Sequence, residues 1–284
     1  MDKTVDIRPS PIAGQWYPSS STRLAANVDG YIDAAKLPEL TGEVIAVIAP
    51  HAGHIYSGPV AGYAFAALRG MKPDLVSVIS PMHYAYPSAL LTTAHQAYQT
   101  PLGAILIDQV ALDKLDSNLK EELGLSLTRV RSDPEHSLEI ELPFLQRILK
   151  EGFRLLPVMV RDVKPHVTRG LGRALAKTLQ GCNAILVAST DLSHFYPQKV
   201  AETLDTEMLH RIEAFDPEGV LMAEDEGKGF ACGRGAVAAV LWAAKELGAD
   251  QVKILHHATS GDVTGDYTQV VGYGAAVVTR SRRR

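Results

Sequence analysis

Residues 44–54 read VIAVIAPHAGH, an unbroken apolar run that ends in a proline and two histidines. A run of β-branched and small apolar residues is typical of a strand that is buried on both faces, as in a parallel sheet covered by helices. His51 follows the run at a point where the proline fixes the strand exit and the Ala52-Gly53 pair leaves room for a ligand. We therefore expect His51 at the carboxyl end of a central strand, and we expect His54 in the wall of the same site.

Two further apolar runs end in the same way. Residues 75–79 are followed by Ser80-Pro81-Met82-His83, and residues 184–188 are followed by Ser189-Thr190-Asp191-Leu192-Ser193-His194. In open α/β sheets, ligands bind in the crevice beyond the carboxyl ends of the parallel strands. Three strand ends that each carry a histidine therefore predict a metal site or an acid–base site at one edge of the sheet.

The alternation of strand-like and helical patterns predicts one α/β domain with a central, mainly parallel sheet flanked by helices. Further strands are expected at residues 89–93, 104–107, 153–160, 252–256 and 270–278, and helices at residues 21–35, 60–68, 112–122, 137–149, 165–179, 200–215 and 233–247. No long linker rich in Pro, Gly or Ser divides the sequence, so the domain is expected to cover residues 1–284, with frayed tails at residues 1–7 and 280–284. The acidic, glycine-containing stretch at residues 223–229 is expected to form a mobile wall of the site.

The composition argues against several classes of protein. With 28 Lys and Arg residues against 32 Asp and Glu residues, the net charge of −4 provides no basic field for a nucleic acid. No apolar stretch approaches the ~18 residues that a membrane span needs, and the first residues lack the pattern of a signal peptide. We expect a cytoplasmic protein with neither a nucleic-acid partner nor a membrane partner.

His51 and His83 are the first candidate metal ligands, because two neutral imidazoles from neighbouring strands are a common start for a divalent metal site. Cys232 is a third candidate, since a helix N-terminus favours the thiolate, although small buried cysteines are also frequent at tight helix starts. The same dipole predicts that Cys232 reacts faster with thiol reagents than Cys182, which precedes an apolar strand and is expected to be a packing residue.

Asp191 and His194 share one turn after the third apolar run. Asp191 is either the carboxylate of a site with two histidines and one carboxylate, or a cap for the following turn. His194 is the candidate general base. Glu135-His136, with Glu139, is either an acid–base pair or an ordinary solvated first turn of a helix.

Six short motifs occur in one order along the chain: Ala13-Gly14-Gln15-Trp16-Tyr17-Pro18, Pro50-His51-Ala52-Gly53, Ser80-Pro81-Met82-His83, Glu135-His136-Ser137-Leu138-Glu139, Ser189-Thr190-Asp191-Leu192-Ser193-His194 and Cys232-Gly233-Arg234. Together they span most of the chain and resemble the Memo family, which includes the AmmeMemoRadiSam system protein B of bacteria and archaea. The resemblance implies a fold similar to that of class III extradiol ring-cleaving dioxygenases, with a pocket at the same sheet edge.

The resemblance also implies roles for particular residues. His51 and His83 match the two metal-ligand histidines, His194 matches the acid–base histidine, and Cys232 stands where the dioxygenases have a glutamate ligand. Asp191 is a further site residue of the family. The implied cofactor is a divalent metal, with iron as the first choice and copper or zinc as alternatives.

Two functions fit these residues. The first is a metal-binding protein with a redox or oxygenase-like activity on an unknown small molecule. The second is a non-catalytic module that uses the same pocket to bind a peptide or a small anionic ligand. In both, Trp16, Tyr56 and Arg234 are the candidate substrate-binding residues around the crevice. By resemblance, a functional link to radical-SAM and AMMECR-type proteins is expected.

Overall fold

The structure of the protein is a computed structural model, which describes residues 5–149 and 152–281. The strands are β1 (Ile7–Arg8), β2 (Glu43–Ala49), β3 (Leu75–Pro81), β4 (Leu90–Thr93), β5 (Ala97–Thr100), β6 (Gly103–Leu106), β7 (Thr128–Val130), β8 (Arg154–Val160), β9 (Ala184–Ser189), β10 (His194–Tyr196), β11 (Gln251–Thr259) and β12 (Val270–Arg280). The helices are α1 (Ser21–Ala34), α2 (His54–Ala66), α3 (Gln109–Leu123), α4 (Leu142–Ile148), α5 (Pro165–Leu179), α6 (Gln198–Glu213), α7 (Pro217–Asp225), α8 (Arg234–Glu246) and α9 (Gly261–Thr264).

A large mixed sheet, flanked by helices, organises the fold. Its strand order is β10-β12-β2-β9-β3-β8-β4-β7, with β11 paired to β12. The four central strands β2, β9, β3 and β8 are parallel neighbours, so that Val187 pairs with Val47 on one side and with Val78 on the other. This confirms the α/β fold with a parallel centre. The pairs of β12 with β2 and of β4 with β8 are antiparallel, a direction that an apolar run alone does not reveal.

The helix predicted at residues 137–149 is divided in the structure. A short 3-10 turn, Glu139–Glu141, precedes α4, and Pro143 lies in the first turn of that helix, where its missing N–H costs no hydrogen bond. Ser137 stays outside the helix, and its hydroxyl donates to the carbonyl of Pro81 at the end of β3. The segment before α4 is therefore attached to the sheet edge.

The stretch at residues 223–229, predicted to be a mobile wall, begins as helix. Its first residues complete α7, which Asp216 caps by accepting a hydrogen bond from the backbone N–H of Gly219 at 2.9 Å. Pro217 occupies the first helical position, where its fixed φ suits a helix start.

The structure also differs from the predicted tails at their inner ends. Ile7 pairs with Ala97 in β1, and Arg280 ends β12, where its guanidinium pairs with Glu43 at 2.6 Å. The outermost residues of both tails lie outside the described residues.

Arg8 fastens the N-terminal strand to the segment that precedes α4. Its guanidinium is 1% exposed and donates to the carboxylate of Asp133 at 2.9 and 3.1 Å and to that of Glu139 at 2.5 Å. It also donates to the backbone carbonyl of Glu135 at 2.8 Å. One cation thus holds two buried carboxylates and the loop between them.

Replacing Arg8 with Met should lower the free energy of unfolding by about 3–5 kcal/mol, because two buried carboxylates lose their cation. Urea unfolding checks the value. The matched control is Arg69→Met, which breaks the exposed pair with Asp33 and should cost less than about 1 kcal/mol. An equally small loss for Arg8→Met would show that the buried network does not stabilise the fold.

His54 is the first residue of α2, and its side chain is buried. Its Nε2 donates to the carbonyl of Ile140 at 3.0 Å, and its Nδ1 has no hydrogen-bond partner among the described residues. Burial lowers the pKa of His54 to about 4, although the bond to Ile140 opposes the shift. His54 is therefore a neutral core residue that joins α2 to the 3-10 turn.

His54 should make the protein less stable as the pH falls from about 6.5 to about 4. The unfolded chain takes up a proton in this window and the folded chain does not, so stability rises with pH across it, by about 3 kcal/mol for one such group. His54→Gln keeps a donor for Ile140 but cannot titrate. The difference in unfolding free energy between wild type and His54→Gln, measured at pH 7 and at pH 4, should shrink by that amount. A constant difference would contradict the shifted pKa.

Candidate metal centre

Three neighbouring strands deliver polar residues to one sheet edge. His51 lies two residues beyond β2, His83 two residues beyond β3, and Asp191 two residues beyond β9. Because these strands are parallel and adjacent, their carboxyl ends meet, and the ring centroids of His51 and His83 lie 5.3 Å apart. That separation is short enough for both imidazoles to reach one metal ion.

A third imidazole joins them. His51, His83 and His136 each offer one ring nitrogen, and the three nitrogens lie within 4.8 Å of one another. The rings of His83 and His136 are stacked with centroids 4.9 Å apart, and the ring of His51 stands edge-on to both. Nitrogen ligands bond to first-row metals at about 2.0–2.1 Å, so a small closure of the three rings would bring them to one ion.

The carboxylate of Glu135 orients two of these rings. It accepts from the Nδ1 of His83 at 3.0 Å and lies 3.3 Å from the Nδ1 of His136, which leaves the Nε2 of each ring free. A carboxylate that holds the outer nitrogen of a ligand histidine is a common feature of metal sites. Burial alone would raise the pKa of Glu135, but hydrogen bonds from His83 and from the backbone N–H of Ser137 outweigh it and lower the pKa. Glu135 is therefore ionised.

His51 is held from both sides. Its Nδ1 lies 2.9 Å from the hydroxyl of Ser189, and its Nε2 lies 3.1 Å from the Sγ of Cys232. Cys232 reaches this position because α8 begins against the end of β9, where a Cβ on Gly233 would collide with the carbonyl oxygen of Ser189. The glycine after Cys232 therefore permits the approach that brings sulfur to His51.

Apart from the Glu135 carboxylate, several groups of the centre are uncharged at pH 7. Burial lowers the pKa of His51 well below its ordinary value and that of His136 to about 4, so both are neutral at pH 7. Burial also raises the pKa of the Cys232 thiol, and the nearby Asp191 adds to the effect. Neutral imidazoles are ready to bind a metal, whereas the sulfur must first lose its proton.

The carboxylate of Asp191 binds backbone. Its Oδ1 accepts from the backbone N–H of His51 at 2.7 Å and from that of Ala52 at 3.2 Å. Burial raises the pKa of Asp191 to about 7, although these two hydrogen bonds pull it down. Of the two roles that the sequence left open, the structure gives Asp191 a capping contact, but to the turn after β2 rather than to its own turn.

His194 lies on the same edge, at the start of β10. Its Nδ1 donates to the carbonyl of Leu192 at 2.7 Å, and its ring packs against those of Phe195 and Phe230 at centroid distances of 5.7 and 5.4 Å. Burial lowers the pKa of His194, so the ring is neutral and its Nε2 carries a free lone pair. A neutral histidine fixed in this tautomer has the form that a general base needs.

A cavity of about 660 Å³ lies next to residues that contact the histidines, although none of the four histidines of this edge lines it. Trp16 and Tyr56 both line it, together with Phe195 and Tyr273, and Trp16 also packs against His136 with ring centroids 4.0 Å apart. Arg234 does not reach the cavity. Its guanidinium pairs with Glu224 at 2.9 Å and with Asp225 at 3.3 Å, both of them on α7.

Three residues of the centre are not distinguished by sequence alone. Glu135 and His136 fit either an acid–base pair or a solvated first turn, and Ser189 reads as part of a strand end. The signal that was available is the Glu-His-Ser sequence at residues 135–137, where a carboxylate and an imidazole stand side by side just before an apolar run. Its position beside His51 depends on contacts with Arg8 and the end of β3, which local sequence does not encode.

In the part of the chain that the structure describes, none of the helices is both long enough and apolar enough to cross a bilayer.

Comparison with known proteins identifies the family. A family model described as "Memo-like protein" matches residues 8–277. Proteins named "MEMO1 family protein" are 34% identical to this chain in Nitrosopumilus maritimus (95% of this chain, 98% of that protein) and 34% identical in Methanopyrus kandleri (96% and 99%). Among solved structures, an uncharacterized protein from Escherichia coli K12 aligns with a TM-score of 0.46 and 15% identity, over 84% of this chain and 100% of that chain. The family match and the two relatives show that the chain belongs to the Memo-like family.

Proposed function

We propose that this protein binds one divalent transition metal through the imidazoles of His51, His83 and His136, and uses it in redox or oxygenase-like chemistry on a small molecule. The observation that carries the proposal is the approach of three ring nitrogens to within 4.8 Å of one another at the strand ends. Iron is the first choice of metal because of the resemblance to class III extradiol dioxygenases, and copper and zinc are the alternatives that imidazole ligands also suit.

The residues present fit a metal ion. His51 and His136 are neutral, and Glu135 holds the outer nitrogens of two rings so that the inner ones remain available. Cys232 lies beside His51, where loss of its proton would add a sulfur ligand to the three nitrogens. The His51, His83 and Cys232 set that the sequence favoured is thus extended by His136.

The other residues of the edge have separate tasks. A bound metal would supply a Lewis acid and, if it is iron or copper, one-electron chemistry. His194, neutral and with a free Nε2, would take a proton from the small molecule. Asp191 would hold the turn that carries His51, and Trp16 and Tyr56 would bind the molecule in the adjoining cavity.

The alternative function is a non-catalytic module that binds a peptide or a small anion in the same cavity. The ion pairs of Arg234 with Glu224 and Asp225 count against it, because they engage the cation that was expected to attract an anion. The functional link to radical-SAM and AMMECR-type proteins stays a prediction from the sequence resemblance.

Metal titration should separate ligands from neighbours. His83→Ala and His136→Ala each remove a metal bond and should weaken binding more than about 100-fold, whereas His194→Ala should cost less than that. Binding is measured by calorimetry with Fe(II), Cu(II) and Zn(II) under anaerobic conditions. His210→Ala, on an exposed face of α6, is the control and should bind like wild type. If His194→Ala abolishes binding and His136→Ala does not, the ligand set is wrong.

The two cysteines should differ in reactivity in the opposite order from that expected from sequence. Cys182 is exposed, whereas Cys232 is half-buried, and loss of surrounding water raises the pKa of its thiol. In metal-free protein at pH 7, a maleimide should therefore modify Cys182 first, and Cys232 should react more than about tenfold more slowly. The Cys182→Ser and Cys232→Ser variants assign the two rates by mass spectrometry. Faster labelling of Cys232 would mean that the helix dipole outweighs burial after all.

A further inference from the structure

The hydroxyl of Ser189 has three polar neighbours. Its Oγ lies 2.9 Å from the Nδ1 of His51, 2.7 Å from the backbone carbonyl of Ser137, and 2.6 Å from the Oε1 of Glu141. All three distances are those of ordinary hydrogen bonds. Ser189 therefore links His51 of the candidate metal centre to the carboxyl group of Glu141, which lies outside the centre.

A serine hydroxyl has one hydrogen and can accept two further hydrogen bonds. The carbonyl of Ser137 can only accept, so all three bonds exist together only when Ser189 donates its hydrogen to that carbonyl. His51 must then donate from Nδ1, and Glu141 must donate from a protonated carboxyl group. If Glu141 were ionised, it would compete with the carbonyl of Ser137 for the single hydrogen, and one of the two acceptors would be left unpaired.

The surroundings of Glu141 favour the same arrangement. Its side chain is fully buried, and its second oxygen, Oε2, has no hydrogen-bond partner among the described residues. An unpaired carbonyl oxygen of a neutral acid is tolerable in a core, whereas an unpaired carboxylate oxygen is far more costly. Glu139, two residues earlier in the same 3-10 turn, has the opposite environment, because it pairs with Arg8.

We propose that Glu141 is a neutral carboxylic acid that donates a hydrogen bond to Ser189. Ser189 then accepts from His51, which commits His51 to the tautomer with its proton on Nδ1 and with an unprotonated Nε2 toward the metal centre. Glu141 is thus a positioning residue, which acts on His51 through Ser189 and touches neither metal nor substrate. The assignment of a metal to the histidines rests on the proposed function, but the hydrogen-bond arrangement exists in the metal-free protein.

The contact of Cys232 with His51 agrees with this tautomer. With Nδ1 protonated, the Nε2 of His51 is an acceptor, and the thiol of Cys232 at 3.1 Å is its donor. Burial raises the pKa of Glu141 well above its ordinary value; its bond to Ser189 opposes this shift, and the nearby Asp191 adds to it. A chain of hydrogen bonds therefore runs from Cys232 through His51 and Ser189 to the buried Glu141.

Two variants of Glu141 test its role. Glu141→Gln keeps an N–H donor for Ser189 and should bind the metal nearly as tightly as wild type. Glu141→Leu has a similar volume but no donor, and should weaken binding by about 10–100-fold, as the loss of an outer partner does. Ser189→Ala should have a similar effect. The matched control is Ser77→Ala, another fully buried serine of the sheet, whose hydroxyl donates to Leu156 and whose loss should leave binding unchanged.

Two measurements on the metal-free protein test the arrangement directly. At pH 7, the infrared difference spectrum between wild type and Glu141→Gln should contain the carbonyl band of a protonated carboxylic acid. In ¹⁵N spectra, His51 should carry its proton on Nδ1 in wild type and in Glu141→Gln, and should become a mixture of tautomers in Ser189→Ala. His51→Gln identifies the resonance, and thermal unfolding shows that each variant is folded.

The outcomes separate the two proposals. If Glu141→Gln binds metal as poorly as Glu141→Leu, or if the infrared band is absent, Glu141 acts as an ion and the inference is wrong. If wild type binds none of the three metals, the proposed function fails, and the infrared and ¹⁵N spectra still decide the inference. If the band and the Nδ1 proton are both found, the inference holds with or without the metal.

Discussion

The centre depends on one buried carboxylate, that of Glu135. It accepts from the backbone N–H groups of His83, His136 and Ser137 at 2.6–2.9 Å, and from the ring of His83 at 3.0 Å. A carboxylate with this many donors can stay ionised in the interior of a protein. Because the donors come from two separate segments, the end of β3 and the loop before α4, Glu135 joins these segments and stacks the two rings that they carry.

Charge is divided between the two sides of this loop. On the side of the N-terminal strand, Arg8 neutralises Asp133 and Glu139 within a fully buried network. On the side of the sheet edge, the imidazoles of His51 and His136 are neutral, and loss of surrounding water keeps a proton on the Cys232 thiol and raises the pKa of Asp191 to about 7. A divalent cation would therefore enter a region where the Glu135 carboxylate is ionised and where Cys232 and Asp191 can still release protons. Metal binding at such a site is coupled to proton release, and is weaker at low pH.

The sequence revealed the parts of this arrangement that local pattern controls. Apolar runs that end in proline or serine showed that His51, His83 and Asp191 follow strands, and the parallel centre of the sheet brings strand ends together. His136 follows no strand. It reaches the centre because Arg8 and Ser137 hold its loop from two sides, and those contacts join residues far apart in the chain.

Arg234 is a residue that the sequence placed at the site and that the structure places elsewhere. Its place in the Cys232-Gly233-Arg234 motif predicts a position at the crevice. In the structure, α7 ends at Asp225, and its residues Glu224 and Asp225 pair with the guanidinium of Arg234, which does not line the cavity. A long charged side chain points toward the partner that binds it most strongly. Whether such a partner is within reach depends on the local secondary structure, which a sequence rich in acidic residues and glycines does not reveal.

Two opposite effects act on the pKa of the Cys232 thiol: the helix dipole lowers it and removal from water raises it. A helix N-terminus stabilises a nearby negative charge by about 0.3–1 kcal/mol at an exposed site, whereas removal from water shifts a pKa by up to about 3–5 units in a fully buried group, at about 1.4 kcal/mol for each unit. Cys232 is half-buried, and the pKa of its thiol is raised. Burial therefore prevails, and the thiol keeps its proton although it stands where the dipole of α8 favours the thiolate. A metal ion changes the balance, because a coordinated thiol is deprotonated outright. The same desolvation that raises the pKa of the Cys232 thiol would thus make its ionisation a consequence of metal binding and not a condition for it.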